Sequence, residues 1–306
     1  MRDYSKELPV HKECYVGEND LFLEVYEGEG QYEGEGQYAG EGQYEREVQY
    51  AGENRYEREE RQEEKGKRPP ILFVHGAYTG SWMWSKYITY FVREGRRCYV
   101  MNLRGHYKSR GMDLSRVTFE DYLKDVEEVI AEIGETPVVI GFSMGGILCQ
   151  KLAEKLTYAG LVLIDSSICR EVNRIAPYEA PAEPDLGLIV PAPEREESVS
   201  MDESKEDIAF QRKYLSMESA KAFYECGCWI RGVEGVPVDR ELIRCPVLVI
   251  RAENNEEERR RGEAEAGYFG AEYAGFENAT HTGLLVGQQV TRVIRQIDGW
   301  LCRNGL

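Results

Sequence analysis

The chain has no long apolar run. Segments such as Ile71–Val74 and Val247–Ile250 are the usual length, far short of the roughly 18 residues a membrane span needs. Met1–Lys6 contains no apolar core of the kind a secretory leader carries, so no leader is expected. Positive charge is scarce. Lys and Arg number 38 against 55 Asp and Glu, the net charge is -17 and the pI about 4.9. Such a surface repels a phosphate backbone, which argues against a nucleic-acid partner. Eight cysteines occur at positions 14, 98, 149, 169, 226, 228, 245 and 302, with no CxxC pair among them. Several lie inside apolar segments, which reads as buried thiols in a reduced, cytoplasmic protein. Cys226-Gly-Cys228 has no second cluster to complete a ligand set, so no metal site is assigned.

What is present suffices for a folded core. Of 306 residues, 42% are hydrophobic and 30% charged, a balance that excludes disorder of the whole chain. About 150 residues per domain suggests two domains, although single α/β domains of about 200–250 residues are common.

Between Tyr26 and Tyr56 a tyrosine recurs every six residues, on a unit close to Glu-Gly-Glu-Gly-Gln-Tyr. Six residues advance a helix by roughly 600°, which scatters the tyrosines around it. A β-helix coil needs a recurring aliphatic residue, and none recurs. Residues 27–66 hold 13 Glu and 5 Lys or Arg, a net of -8. They read as an acidic, solvated insertion without a fold of its own.

With residues 27–66 set aside, the elements alternate. Leu21–Tyr26, Ile71–Val74, Cys98–Met101, Val138–Ile140, Leu161–Ile164, Val247–Ile250 and Ala271–Phe276 read as strands. Phe119–Ile133, Met144–Leu156 and Val286–Leu301 have helical periodicity. Helices alternating with fully apolar strands imply a mostly parallel sheet covered on both faces. The alternation breaks once, at residues 167–244, a stretch too long for a structureless loop. It is expected to be a helical lid over the carboxyl edge of the strands, where open α/β sheets bind ligands. Residues 1–26 and 67–166 then form the first part of the core and 245–306 the second. The charged run Glu253–Glu265 is expected to be a solvated loop and helix start.

Three segments carry chemistry. In Val138-Val-Ile-Gly141-Phe-Ser143-Met-Gly145-Gly146 a strand ends in Gly-x-Ser-x-Gly and a helix follows at once, the pattern of a nucleophile elbow. In Ile71-Leu-Phe-Val-His75-Gly76-Ala77 a buried strand runs into a loop whose amides can face an oxyanion; Ala77 N–H with Met144 N–H would form the hole. His75 reads as a structural hydrogen-bonding residue of the strand end. In Asn278-Ala-Thr-His281 a histidine sits between the last strand and the C-terminal helix, one of four in the chain with His11, His75 and His106. A serine hydroxyl needs such a neighbouring base to become a nucleophile.

These segments together resemble the α/β-hydrolase fold family. Val74-His-Gly-Ala77 with Trp82-Met-Trp84 is similar to the plant methylesterase and hydroxynitrile lyase branch and its microbial relatives, and Leu103-Arg-Gly-His106 resembles that family's turn after the following strand. The resemblance implies a nucleophile at Ser143, a base at His281, oxyanion donors at Ala77 and Met144, and a turn-shaping role for His106. It also implies an aspartate after Pro246–Ile250, where this chain has Ala252-Glu-Asn-Asn255. Asn255 occupies the acid's position and its carbonyl can orient an imidazole, without the charge of a carboxylate. Glu253, Glu256 and Asp165, at the end of Leu161–Ile164, are the alternatives.

The function expected is hydrolysis of small carboxylic esters through an acyl-enzyme, with no cofactor and no metal. Serine at the elbow argues against dehalogenase and epoxide hydrolase chemistry. The acid-less pattern keeps a non-enzymatic binding protein open. No lid lysine stands out to support cyanohydrin cleavage. Phe210, Tyr214, Leu215, Phe223, Tyr224 and Trp229 suit an apolar substrate group.

Overall fold

The apolar runs become neighbouring strands of one sheet. The structure is a computed structural model that describes residues 2–28, 68–179, 182, 187–196 and 200–306. In chain order its strands are β1 (Lys12–Val16), β2 (Leu21–Tyr26), β3 (Ile71–Val74), β4 (Cys98–Met101), β5 (Val138–Phe142), β6 (Gly160–Ile164), the two-residue β7 (Ile189–Val190) and β8 (Glu218–Ser219), β9 (Val247–Ala252) and β10 (Glu272–Phe276). The large sheet runs β1-β2-β4-β3-β5-β6-β9-β10, and β7 pairs only with β8. Strand β2 is antiparallel to both its neighbours. All other pairs of the large sheet are parallel. The insertion 27–66, apart from Glu27 and Gly28, lies outside the described residues.

The helices are α1 (Ser85–Arg93), α2 (Phe119–Ile133), α3 (Met144–Leu152), α4 (Arg170–Ile175), α5 (Lys205–Tyr214), α6 (Ala220–Glu225), α7 (Glu256–Phe269), α8 (Gly283–Val286) and α9 (Val290–Arg303). Side chains of β5 alternate between two cores. Val139 packs with Val126 and Val129 of α2 and Ile147 of α3. Val138, Ile140 and Phe142 pack with Tyr87 and Phe91 of α1 and Ile297 of α9. Helix α2 spans the predicted residues because both ends are marked. Thr118 and Asp121 form a reciprocal capping box, and Gly134 closes the helix at φ 66°.

Two expectations are corrected. The C-terminal helix is broken into α8 and α9, with Gly287 extended between them. The Cβ of any larger residue at Gly287 would lie 2.8 Å from Gly283 O, so the close approach at this break needs glycine. The charged run 253–265 is not wholly solvated: it carries most of α7, and Arg261 and Glu265 are buried. The strand β1 had no apolar run to mark it. Among the described residues no helix is long and apolar enough to cross a membrane.

Candidate active site

Ser143 stands between β5 and α3 at φ 52° and ψ -122°. A non-glycine residue at positive φ is strained and persists only where its surroundings hold it. Here the Ser143 amide donates to Ile164 O at 3.2 Å, and its carbonyl accepts from the amides of Gly146 and Ser167 at 3.0 Å each. The glycines permit the close crossing. A Cβ on Gly145 would lie 2.3 Å from His75 O, and one on Gly141 would lie 2.7 Å from Gly146 Cα.

The loop after β3 runs alongside. A Cβ on Gly76 would come within 2.8 Å of Ser143 Cβ, so the next residue, Ala77, is close to the serine. Neither the Ala77 amide nor the Met144 amide donates a hydrogen bond to another described residue. Met144 opens α3, and unpaired amides at a helix N-terminus favour negative charge.

His281 lies in the loop between β10 and α8, its ring 4.5 Å from that of Phe142, the residue before Ser143. Its Nδ1 is 2.5 Å from Asp165 Oδ2. An ionised carboxylate accepts, so Nδ1 carries a proton and Nε2 is the ring nitrogen left to face the cavity's other groups. Asp165 ends β6 at φ 42° and accepts from the Ala252 amide at 3.3 Å. Burial pulls its carboxyl up, but the charge and hydrogen bond of His281 and the charge of Arg251 hold it below its ordinary value.

The expectation of Asn255 beside His281 is corrected geometrically. Asn255 caps α7, its Oδ1 accepting from the Glu258 amide at 2.9 Å. Glu253 is occupied by Arg259 and by the Tyr273 hydroxyl. Asn254 supports the histidine loop instead, donating through Nδ2 to Ala279 O at 2.8 Å and accepting the Ala279 amide at 3.3 Å.

Behind Asp165 stands a buried ion pair that sequence reasoning missed. Arg251 lies 3.6 Å from Asp165 and 2.5 Å from Glu265. Gln150 Nε2 ties Glu265 to Ser166. Burial lowers the Arg251 pKa, but the two carboxylates outweigh it and raise the value overall. One signal was available: Arg251 is a charge inside the apolar strand Val247–Ala252.

His75 uses both ring nitrogens on backbone. Nδ1 donates to Gly76 O at 2.8 Å and Nε2 accepts from the Leu103 amide at 3.0 Å. Burial first, then neighbouring His106, lowers its pKa to about 3. His106 is buried against Glu218 at 3.0 Å. Cys228 Sγ contacts backbone carbonyls, and both Cys226 and Cys228 are free thiols.

Ser143, Ala77, Met144, Asp165 and His281 all line one cavity of about 960 Å³. Of the six lid residues singled out, Leu215, Phe223 and Trp229 line it, whereas Phe210 is buried against Trp82 and Tyr4. The His281 side chain is 47% exposed, so a molecule in the cavity can reach it.

The fold and this elbow define an α/β hydrolase. Residues 71–295 match the model of the alpha/beta hydrolase family, and the chain belongs to that family. Over 82 residues it is 34% identical to Methylesterase 9 of Arabidopsis thaliana, a stretch covering 25% of this chain and 30% of that relative. The match therefore spans under a third of that relative's length. Among solved structures, a carboxylesterase of Nitrososphaera gargenis superposes with a TM-score of 0.62 at 13% identity, over 96% of this chain and 98% of the other. A monoacylglycerol lipase of Paleococcus ferrophilus gives 0.57 at 20% identity, over 77% and 96%. A methylesterase of Arabidopsis gives 0.56 at 14% identity, over 76% and 99%. At these identities the likeness is one of fold.

Proposed function

We propose that the protein hydrolyses small carboxylic esters through a covalent acyl-enzyme, with residues 167–244 as the lid of the cavity. Ser143 Oγ attacks the acyl carbon and His281 Nε2 takes its proton. Asp165 holds His281 in the required tautomer and balances the imidazolium that forms. The oxyanion settles on the Ala77 and Met144 amides. The alcohol leaves with the proton held by His281, and water, deprotonated by the same ring, releases the acid.

The observation that carries this reading is the Asp165–His281 contact of 2.5 Å at the edge of the cavity that Ser143 also lines. The same contact offers the acid whose apparent lack, together with the acidic repeat, favoured a non-enzymatic binding protein. Named relatives point the same way: Methylesterase 9, the carboxylesterase and the monoacylglycerol lipase are esterases by name. No lysine lines the cavity among the described residues, which gives cyanohydrin cleavage no support.

The lining limits the substrate. Tyr78, Phe223 and Trp229 form an aromatic wall, with ring centroids 5.4 and 5.3 Å apart. Each arginine of the lining is taken by a carboxylate: Arg195 by Glu203, Arg251 by Glu265 and Arg261 by Glu257. Glu194 and Glu196 add further negative charge. A neutral ester with an apolar group fits this cavity, and an anionic one is repelled. Labelling by a fluorophosphonate probe tests the reading: folded wild type should label and Ser143→Ala should not. A folded wild type that neither labels nor cleaves short p-nitrophenyl esters would exclude it.

A further inference from the structure

A lid carboxylate is buried against the oxyanion loop. Glu218, on β8, has a fully buried side chain. Its Oε1 accepts from the Tyr122 hydroxyl at 2.5 Å and the Ser219 amide at 2.7 Å. Its Oε2 lies 3.0 Å from His106 Nε2 and accepts from the Tyr78 amide at 3.3 Å.

Tyr78 follows Ala77 and stands at φ 67°, in the left-handed region. Its carbonyl accepts from the Ser216 amide at 2.9 Å. Both backbone polar groups of Tyr78 are thus held by one lid segment, 216–218. That restraint is what a strained non-glycine residue requires.

His106 sharpens the picture. Its Nδ1 lies 3.1 Å from Arg104 O, which can only accept, so Nδ1 carries a proton and Nε2 faces the carboxylate. Burial lowers the His106 pKa and raises that of Glu218. Their mutual attraction outweighs burial in both, leaving His106 raised and Glu218 lowered. An ionised acceptor binds an amide more strongly than a neutral one.

We propose that Glu218 is a positioning residue for the ester hydrolysis inferred above, tying the lid to Tyr78 and thereby setting the direction of the Ala77 amide. Glu218 touches no substrate. It fixes the peptide next to the oxyanion donor, and a donor turned away from its acceptor loses strength steeply.

The test uses the full chain with Glu218→Gln and, as a control, Ser219→Ala. The Ser219 hydroxyl staples the lid to Val117 O at 2.6 Å and caps α6 without reaching Tyr78. In Glu218→Gln, kcat for a neutral p-nitrophenyl ester should fall about tenfold or more with KM within about twofold, because the oxyanion donor acts mainly on the transition state. Affinity for a trifluoromethyl ketone, which mimics the tetrahedral adduct, should fall in proportion. Amide hydrogen exchange in residues 76–80 should quicken. Ser219→Ala should lower Tm while kcat and exchange at 76–80 stay unchanged. A Glu218→Gln protein with lower Tm but unchanged kcat and exchange would overturn the proposal and leave Glu218 a lid staple. If wild type cleaves no ester, the proposed function falls, and exchange at 76–80 still decides whether Glu218 holds the loop.

Discussion

Two regions meet at the cavity, and they are built differently. The elbow is local: Gly141, Gly145 and Gly146 lie within three residues of Ser143, and each lacks room for a Cβ. The histidine is held from a distance. Asp165 is 116 residues from His281 in the chain, and Asn254, which supports its loop through Ala279, is 25 residues from that partner. A short motif can encode the first arrangement. The second depends on β6, β9 and β10 lying side by side, so its members are separated in sequence and adjacent only in the sheet.

The largest effect should come from the local region. Ser143→Ala should lower kcat for a p-nitrophenyl ester by about 10⁴-fold or more, with Tm preserved. Retained activity would show that the elbow serine is not the nucleophile. On the distant side, Asp165→Asn should lower kcat by about 10³–10⁴-fold, since the amide leaves the imidazolium uncompensated. If Asn255→Ala instead gave the large loss, the position after β9 would hold the third member after all.

Arg251→Met separates support from chemistry. It leaves Glu265 buried without its cation, and urea unfolding should show a loss of about 3 kcal/mol or more. An unchanged unfolding midpoint would show that this ion pair does not brace the distant half. A smaller effect concerns pH. The Asp165 carboxyl is held below its ordinary value of 3.8, so its stabilising contribution is complete above that value and is lost as pH falls through the folded one. The stability gap between wild type and Asp165→Asn, measured by urea titration, should therefore narrow on acidification below pH 3.8; a widening gap would refute the direction. Smallest is the cap: Asn255→Ala should cost about 1 kcal/mol of stability through α7, with kcat unchanged.

Much of the fold was legible because its signals are short and contiguous. Buried strands of four to six residues read as apolar runs, and α2 announced both of its ends. The elbow and the loop after β3 were legible for the same reason. The carboxylate that meets His281 was not. Position after β9 favoured Asn255, whereas the backbone there turns into α7 and spends that side chain on the helix N-terminus. Asp165 was visible only as an aspartate at the end of a strand, a place where many aspartates merely cap. Arg251 gave a sign that passed unused, and Glu218, a glutamate in a polar stretch, gave none. Its burial arises from His106 and Tyr122, which the chain brings from 112 and 96 residues away.

The amino-acid order alone determined the alternation of strands and helices and the sharp turn that presents Ser143, because each depends on neighbours within one turn or strand. Tertiary structure alone decided which carboxylate meets His281, which arginine steadies that carboxylate, and which lid residue grips Tyr78. Those choices rest on which strand ends lie together and which side chains are desolvated there, and no window of sequence contains both partners.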